Sequence, residues 1–383
     1  MPLYDMRKFV APEFIFGVGA RRRAGFYARN LQARRVLVVT DPGIIRAGWL
    51  SGLLADLEES GLQAVVFSGV TPNPRDHEIM AGEQVYRDSG CDVIVALGGG
   101  SVIDCAKGIG IVFANGGHIL DFEGVDRIDH AGPPLICVPS TAGAAADISQ
   151  FAIVNNTRRR YKIAIISKGV VPDVALVDPE VTLTMDPYLT ACTGLDALSH
   201  AVEAYVSTAS SPVVDVHALA AIELIRDFLL QAVTEPANLA ARENMMLASL
   251  QAGLAFSNAS LGATHALSHS LGGYLDLSHG ESNALLLEHV VRFNYRVAEE
   301  RYRRIAQAIG VPLAGGTGGE RSLTGALQTL REACGIRDGL AARGVTSGEI
   351  VELAPPAARD ACLVTNPRRA SLADIKALYA EAL

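Results

Sequence analysis

Residues 93–110 read VIVALGGGSVIDCAKGIG: a run of β-branched and apolar residues, three glycines, a serine, and then apolar residues at helical spacing. A strand that runs through a glycine turn into a helix is the repeating unit of a parallel α/β sheet. Gly98, Gly99 and Gly100 allow the backbone to approach a ligand closely and to take angles closed to other residues, and Ser101 is placed to cap the helix. The free N–H groups and dipole at such a helix start favour a phosphate. The stretch matches neither the G-x-G-x-x-G pattern nor the P-loop, and GVGARR at 17–22 lacks the third glycine.

Other segments repeat the pattern. VLVVT (36–40), AVVFS (64–68), LICVP (from 135) and VALVD (from 174) are unbroken apolar runs, as expected of strands covered on both faces. Between them lie helical patterns ending at glycine, such as AGWLSGLLADLEESG. FAIVNNTRRRYKIAII (151–166) departs from this alternation and reads as a hairpin about Asn-Asn-Thr, with Arg158–Arg160 in a solvated turn. Strand signals stop after DPEVTLTMDP, and long helical patterns such as VVDVHALAAIELIRDFLLQAV and SLADIKALYAEAL follow. The division predicts an α/β domain over 1–180 and an all-α domain over 181–383, for a chain too long for one small core.

Composition narrows the class. The chain has 383 residues, 49% of them hydrophobic, and a net charge of -8, which disfavours a nucleic-acid partner. Six scattered cysteines without a C-x-x-C pair fit a reducing compartment. MPLYDMRKFV has no apolar core of signal-peptide type and no run reaches membrane-span length, so the expectation is a cytoplasmic protein with no membrane partner.

Two groups of residues invite ligands. Asp41 closes one strand, at the edge where open α/β sheets bind their ligands. It would accept hydrogen bonds from an adenosine ribose and repel a 2′-phosphate, favouring NAD over NADP, or else simply start an Asp-Pro turn. TGLDALSHAVEAY sets Asp196 and His200 one helical turn apart, and ATHALSHSLGGYLDLSHG does the same for His265 and His269, with His279 after a Gly-Gly break at 272–273 and before Gly280. Buried imidazoles and carboxylates are costly without a partner, and a divalent cation would satisfy them together. Spacing alone does not choose which of the three later histidines would ligate.

These residues also carry a likeness. FGVGA, TPNP, GGGSVIDCAKG, STAG, TGLDALSHAVEAY, HALSHSLGG, HG and TNPRRAS occur in this order over nearly the whole chain, which resembles the iron-containing (group III) alcohol dehydrogenases. The resemblance implies a dehydroquinate synthase-like fold, with a dinucleotide-binding α/β domain followed by a metal-binding helical one, and commonly a homodimer. It implies Asp196, His200, His265 and His279 as metal ligands, with His269 beside the metal as the proton-relaying catalytic residue. On the cofactor side it points to Asp41, Asn73, Gly98, Gly99, Ser101, Asp104, Ser140, Thr141 and Lys162. Phe151 and Phe256 are candidate walls of a pocket for a small alcohol or aldehyde.

The nitrogen and oxygen donors suit Fe(II) and also Zn(II), and NAD(H) is expected ahead of NADP(H). Rival readings are a glycerol dehydrogenase-like enzyme and a low-turnover ligand-binding or regulatory protein. One departure favours the last of these: the family's TAGTGSE is TAGAAAD here (141–147), with two hydroxyls and a glycine lost and the acid shortened.

Overall fold

A computed structural model describes residues 7–312 and 318–383; the first six residues of the N-terminal stretch lie outside this range. The strands are β1 (Glu13–Phe16), β2 (Arg35–Val39), β3 (Gln63–Phe67), β4 (Val93–Gly98), β5 (Gly124–Val125), β6 (Leu135–Pro139), β7 (Phe151–Asn156), β8 (Tyr161–Ile166) and β9 (Val174–Val177). Six of them form one parallel sheet in the order β1-β9-β6-β4-β2-β3. Alternate residues of its central strands feed two cores. Val36, Val38, Val93, Val95 and Leu97 face one side, while Leu37, Val39, Ile94 and Ala96 face the other. A strand covered on both faces has no position for a polar residue, hence the unbroken apolar runs.

The edges differ. On β3, Gln63, Ala64 and Val66 are exposed, so this run is not covered on both faces. β1 gave no strong sequence signal: EFIF is short, half exposed, and exists as a strand through its parallel pairing with β9.

Seven helices, α1 (Ala24–Asn30), α2 (Pro42–Arg46), α3 (Trp49–Glu59), α4 (Asp76–Asp88), α5 (Gly100–Asn115), α6 (Pro187–Val206) and α7 (Pro212–Thr234), precede α8 (Leu239–Ala259) and α9 (Ala263–Leu275). α10 (His279–Asn294), α11 (Glu299–Ala308), α12 (Gly318–Ala333), α13 (Ile350–Ala357) and α14 (Leu372–Glu381) complete the chain. Beyond Val177 the described residues contain no strand. α6 and α7 start alike: Asp186 accepts from Leu189 N and Ser211 from Val214 N, and the residue after each cap is a proline whose missing N–H costs nothing in the first turn. The helical core also takes in Ala145, Ile148, Phe151, Ala175 and Val177 from the earlier part of the chain. No described helix is long and apolar enough to cross a membrane.

Three local expectations are corrected. The hairpin turn is Thr157–Arg160, because Asn155 and Asn156 remain paired within β7; Asn156 Oδ1 accepts the Arg159 N–H at 3.0 Å and Arg160 takes φ 55°. Gly272–Gly273 do not break α9. A Cβ on Gly273 would lie 2.3 Å from Tyr161 Cα, so the pair admits β8 against the helix, and the chain turns at Asp276, φ 57°. Ser101 does not cap α5. Gly99 is the N-cap, and Ser101 Oγ accepts the Asn73 N–H at 3.2 Å instead.

Candidate active site

β2 and β4 are neighbours, but the chain leaves β2 toward β3 on one side and β4 toward β6 on the other. The carboxyl ends of these two strands therefore form the crevice where doubly wound sheets bind ligands. Asp41 follows one strand and Gly99–Ser101 the other, and both line a cleft of about 850 Å³ that extends to α6, α8, α9 and α10. The three glycines serve close approach rather than unusual angles, since none has positive φ. A Cβ on Gly100 would lie 2.8 Å from that of Ala144, and one on Gly98 would lie 2.5 Å from Val102 Cγ2. Gly98 itself is buried at the strand end and does not line the cleft.

The other residues expected around a dinucleotide all reach the cleft. Asp41 caps α2, its Oδ1 accepting from Gly43 N at 2.6 Å and Ile44 N at 3.0 Å. Asn73, at φ 57°, spends its Nδ2 on Asp276 Oδ1 at 2.8 Å. Ser140 and Thr141 line the wall after β6. Burial pushes the Asp104 carboxyl up to about 7, against the pull of nearby Lys107 and Lys162, although the side chain is partly open to the cleft. Burial also lowers Lys162 to about 8, opposed by Asp104, Asp196 and Asp276. Phe151 and Phe256 stand with ring centres 5.8 Å apart, and Phe256 stacks on His200 at 4.3 Å.

Across the cleft, α6 contributes Asp196 and His200, α9 contributes His265, and His279 opens α10. One ligating atom from each lies within 4.8 Å of all the others. Gly280 lets these helices meet, since a Cβ there would lie 2.4 Å from Cys192 O.

Each imidazole is oriented from behind. His265 Nδ1 lies 2.7 Å from the buried Glu203 carboxylate, which also accepts the N–H groups of Gly262 and Thr264. His200 Nδ1 faces the Gly143 carbonyl at 3.2 Å, and His279 Nδ1 faces Ser268 Oγ at 3.0 Å. With Nδ1 protonated against carboxylate or carbonyl, the Nε2 atoms of His200 and His265 carry a lone pair rather than a proton, and the hydroxyl of Ser268 allows the same of His279. Burial lowers all three imidazoles, His265 well below its usual range; His279, a quarter open to the cleft, is lowered by burial together with nearby Lys162 and the neighbouring histidines, so all three are neutral at pH 7. One carboxylate and three neutral imidazoles converging on a point fit a divalent cation.

His269 lies outside this quartet. Its ring stacks parallel to His279 with centres 5.4 Å apart, and Nδ1 lies 2.8 Å from Asp360 Oδ2. Burial alone would raise Asp360, but His269, by charge and hydrogen bond, draws it below the ordinary carboxylate value. Sequence reasoning missed Glu203, Asn283 and Asp360. Glu203 carried a signal, standing seven residues after Asp196 and so on its helix face; Asn283 lies one turn after His279. Asp360 is 91 residues from its partner, and no local pattern joins them.

Residues 11–179 match the model of the iron-containing alcohol dehydrogenases, and 190–383 that of the C-terminal region of the same family. The chain belongs to the iron-containing alcohol dehydrogenase family. It is 36% identical to the NAD-dependent methanol dehydrogenase of Bacillus methanolicus over 98% of this chain and 99% of that one. It is 38% identical to the 1,3-propanediol dehydrogenase of Citrobacter freundii over 99% of each. The crystal structure of a 1,3-propanediol oxidoreductase superposes with a TM-score of 0.95 at 37% identity, covering 99% of this chain and all of that one. As a family member the chain is an oxidoreductase of the alcohol dehydrogenase type, with a helix-rich region following its parallel α/β domain.

Proposed function

We propose that this alcohol dehydrogenase interconverts a small primary alcohol and its aldehyde with NAD(H). The portion over 1–180 holds the dinucleotide, and Asp196, His200, His265 and His279 of the portion over 181–383 hold one Fe(II); the donor set also accepts Zn(II). The observation that carries the reading is the convergence of four ligating atoms within 4.8 Å on the same cleft as the glycine turn. When bound, the cation supplies Lewis acidity to the oxygen of the alcohol, and the nicotinamide supplies the hydride acceptor.

The protein does the rest. The Gly99–Gly100 turn would offer backbone N–H groups at the start of α5 to a pyrophosphate, and Asp41, lining the same cleft, would accept from a ribose hydroxyl. Phe151 and Phe256 exclude water from the reacting carbon and fit an alkyl chain rather than a charged one. His269, fixed through Nδ1 by Asp360, keeps Nε2 for the proton of the alcohol on its way to solvent. A cytoplasmic homodimer accords with this reading.

A second reading, a binding protein of low turnover, draws on Ala144–Ala146: the segment loses two hydroxyls, and Ala145 sits at φ 47°, where the family has glycine. Loading with Fe(II) anaerobically and following NADH with a panel of short aldehydes separates the two. Turnover abolished by chelation supports the dehydrogenase; tight NADH binding without turnover supports the binding protein.

A further inference from the structure

The four-residue cluster has a neighbour that no ligand pattern requires. Asn283 lies one turn along α10 from His279, is wholly buried, and points its Nδ2 among the candidate ligands. That nitrogen is 2.6 Å from Asp196 Oδ1, 3.0 Å from His265 Nε2 and 3.3 Å from His279 Nε2. The amide oxygen has no hydrogen-bond partner. A buried orphan oxygen is unfavourable, and such groups persist where the other end of the side chain is in demand. His265 donates its Nδ1–H to the Glu203 carboxylate, so the Nε2 near Asn283 is an acceptor. The amide N–H groups therefore seek the same lone pairs as a cation does.

We propose that Asn283 is a positioning residue that competes internally with the metal. Its amide gathers Asp196, His265 and His279 before the cation arrives, and yields the two imidazole lone pairs when it binds. Three mutually repelling acceptors would otherwise splay apart in the metal-free protein. The hold also keeps the ion exchangeable, because part of its binding free energy goes into breaking those contacts. This inference rests on the metal reading of the cluster.

The test uses full-length Asn283→Leu, close in volume but without N–H donors. Melting temperatures are compared for chelator-stripped and Zn(II)-loaded protein, and Zn(II) affinity is measured by competition with a chromogenic chelator. The stripped variant is expected to melt about 3 °C or more below stripped wild type, with less than half that deficit when loaded. Its Zn(II) affinity should tighten by up to about tenfold. Equal deficits in both states would make Asn283 merely structural and overturn the proposal. A larger deficit when loaded, with weaker Zn(II) binding, would make the amide oxygen a ligand and overturn it equally. Asn283→Ala decides by the same comparison should the leucine variant not fold. A wild type that gains no stability from Zn(II) would instead remove the metal reading, and this inference with it.

Discussion

The two walls of the cleft work by different means. On the sheet side the decisive feature is missing bulk: Gly99 and Gly100 leave room beside Thr141 and Ala144, so that a ligand can approach the backbone N–H groups at the start of α5. On the helical side it is side chains, each locked from behind, as His265 is by Glu203, His200 by Gly143 and His269 by Asp360. A backbone site tolerates altered side chains by degrees. A convergent side-chain site fails when one member goes, because the others are left buried without their common partner.

The sharpest way to break this contrast is His265→Ala. Bound metal and turnover should both fall by about a thousandfold or more, while NADH binding, followed by fluorescence, stays within about twofold of wild type. Loss of NADH binding would show that the walls are not separable.

A second test exploits the lowered imidazoles. Because burial keeps His200, His265 and His279 unprotonated in the fold, Zn(II) uptake at pH 7 should release less than about half a proton by calorimetry in buffers of different ionisation enthalpy. The unfolded chain takes up protons at these histidines below about pH 6.5 and the folded one does not. Stability of the stripped protein is therefore full above that value and declines as pH falls below it toward the lowered folded values. Release of two or three protons at pH 7 would contradict the neutral state.

Smaller effects belong to the sheet side. Asp41→Gly should narrow the NAD/NADP ratio of kcat/KM by about tenfold, through loss of a carboxylate near the ribose. The same change removes the capping carboxylate of α2, and because glycine is itself a good N-cap the cost is only about 0.3 kcal/mol, read separately from the urea midpoint. Smallest is Ala145→Gly. Relief of φ 47° offsets the greater freedom of glycine in the unfolded chain, giving a net gain of about 0.5 kcal/mol. A loss instead would mean that the Ala145 methyl, packed in the helical core, outweighs the backbone strain.

Legibility followed the same division. The central strands could be read because burial on two faces leaves an uninterrupted apolar run, whereas β1 depends on β9, 161 residues away, and its own four residues hardly announce it. The glycine pair at 272–273 was ambiguous for a physical reason: glycine both ends helices and lets other backbone near, and only the position of Tyr161 decides. Asp196, His200 and Glu203 shared a helix face in one short motif, yet a glutamate there is also an ordinary helix former, so only the first two stood out. Asp360 reaches His269 through the fold alone.

The Gly143 carbonyl joins the two walls. It lies in the loop after β6, next to Thr141 and Ala144 on the nucleotide side, yet it decides which nitrogen of His200 carries hydrogen. On the proposed function, any shift of that loop to seat a dinucleotide would be felt in the grip on the ion, and by reciprocity the ion's arrival would be felt by the dinucleotide. One contact of 3.2 Å would then make the two occupancies thermodynamic neighbours.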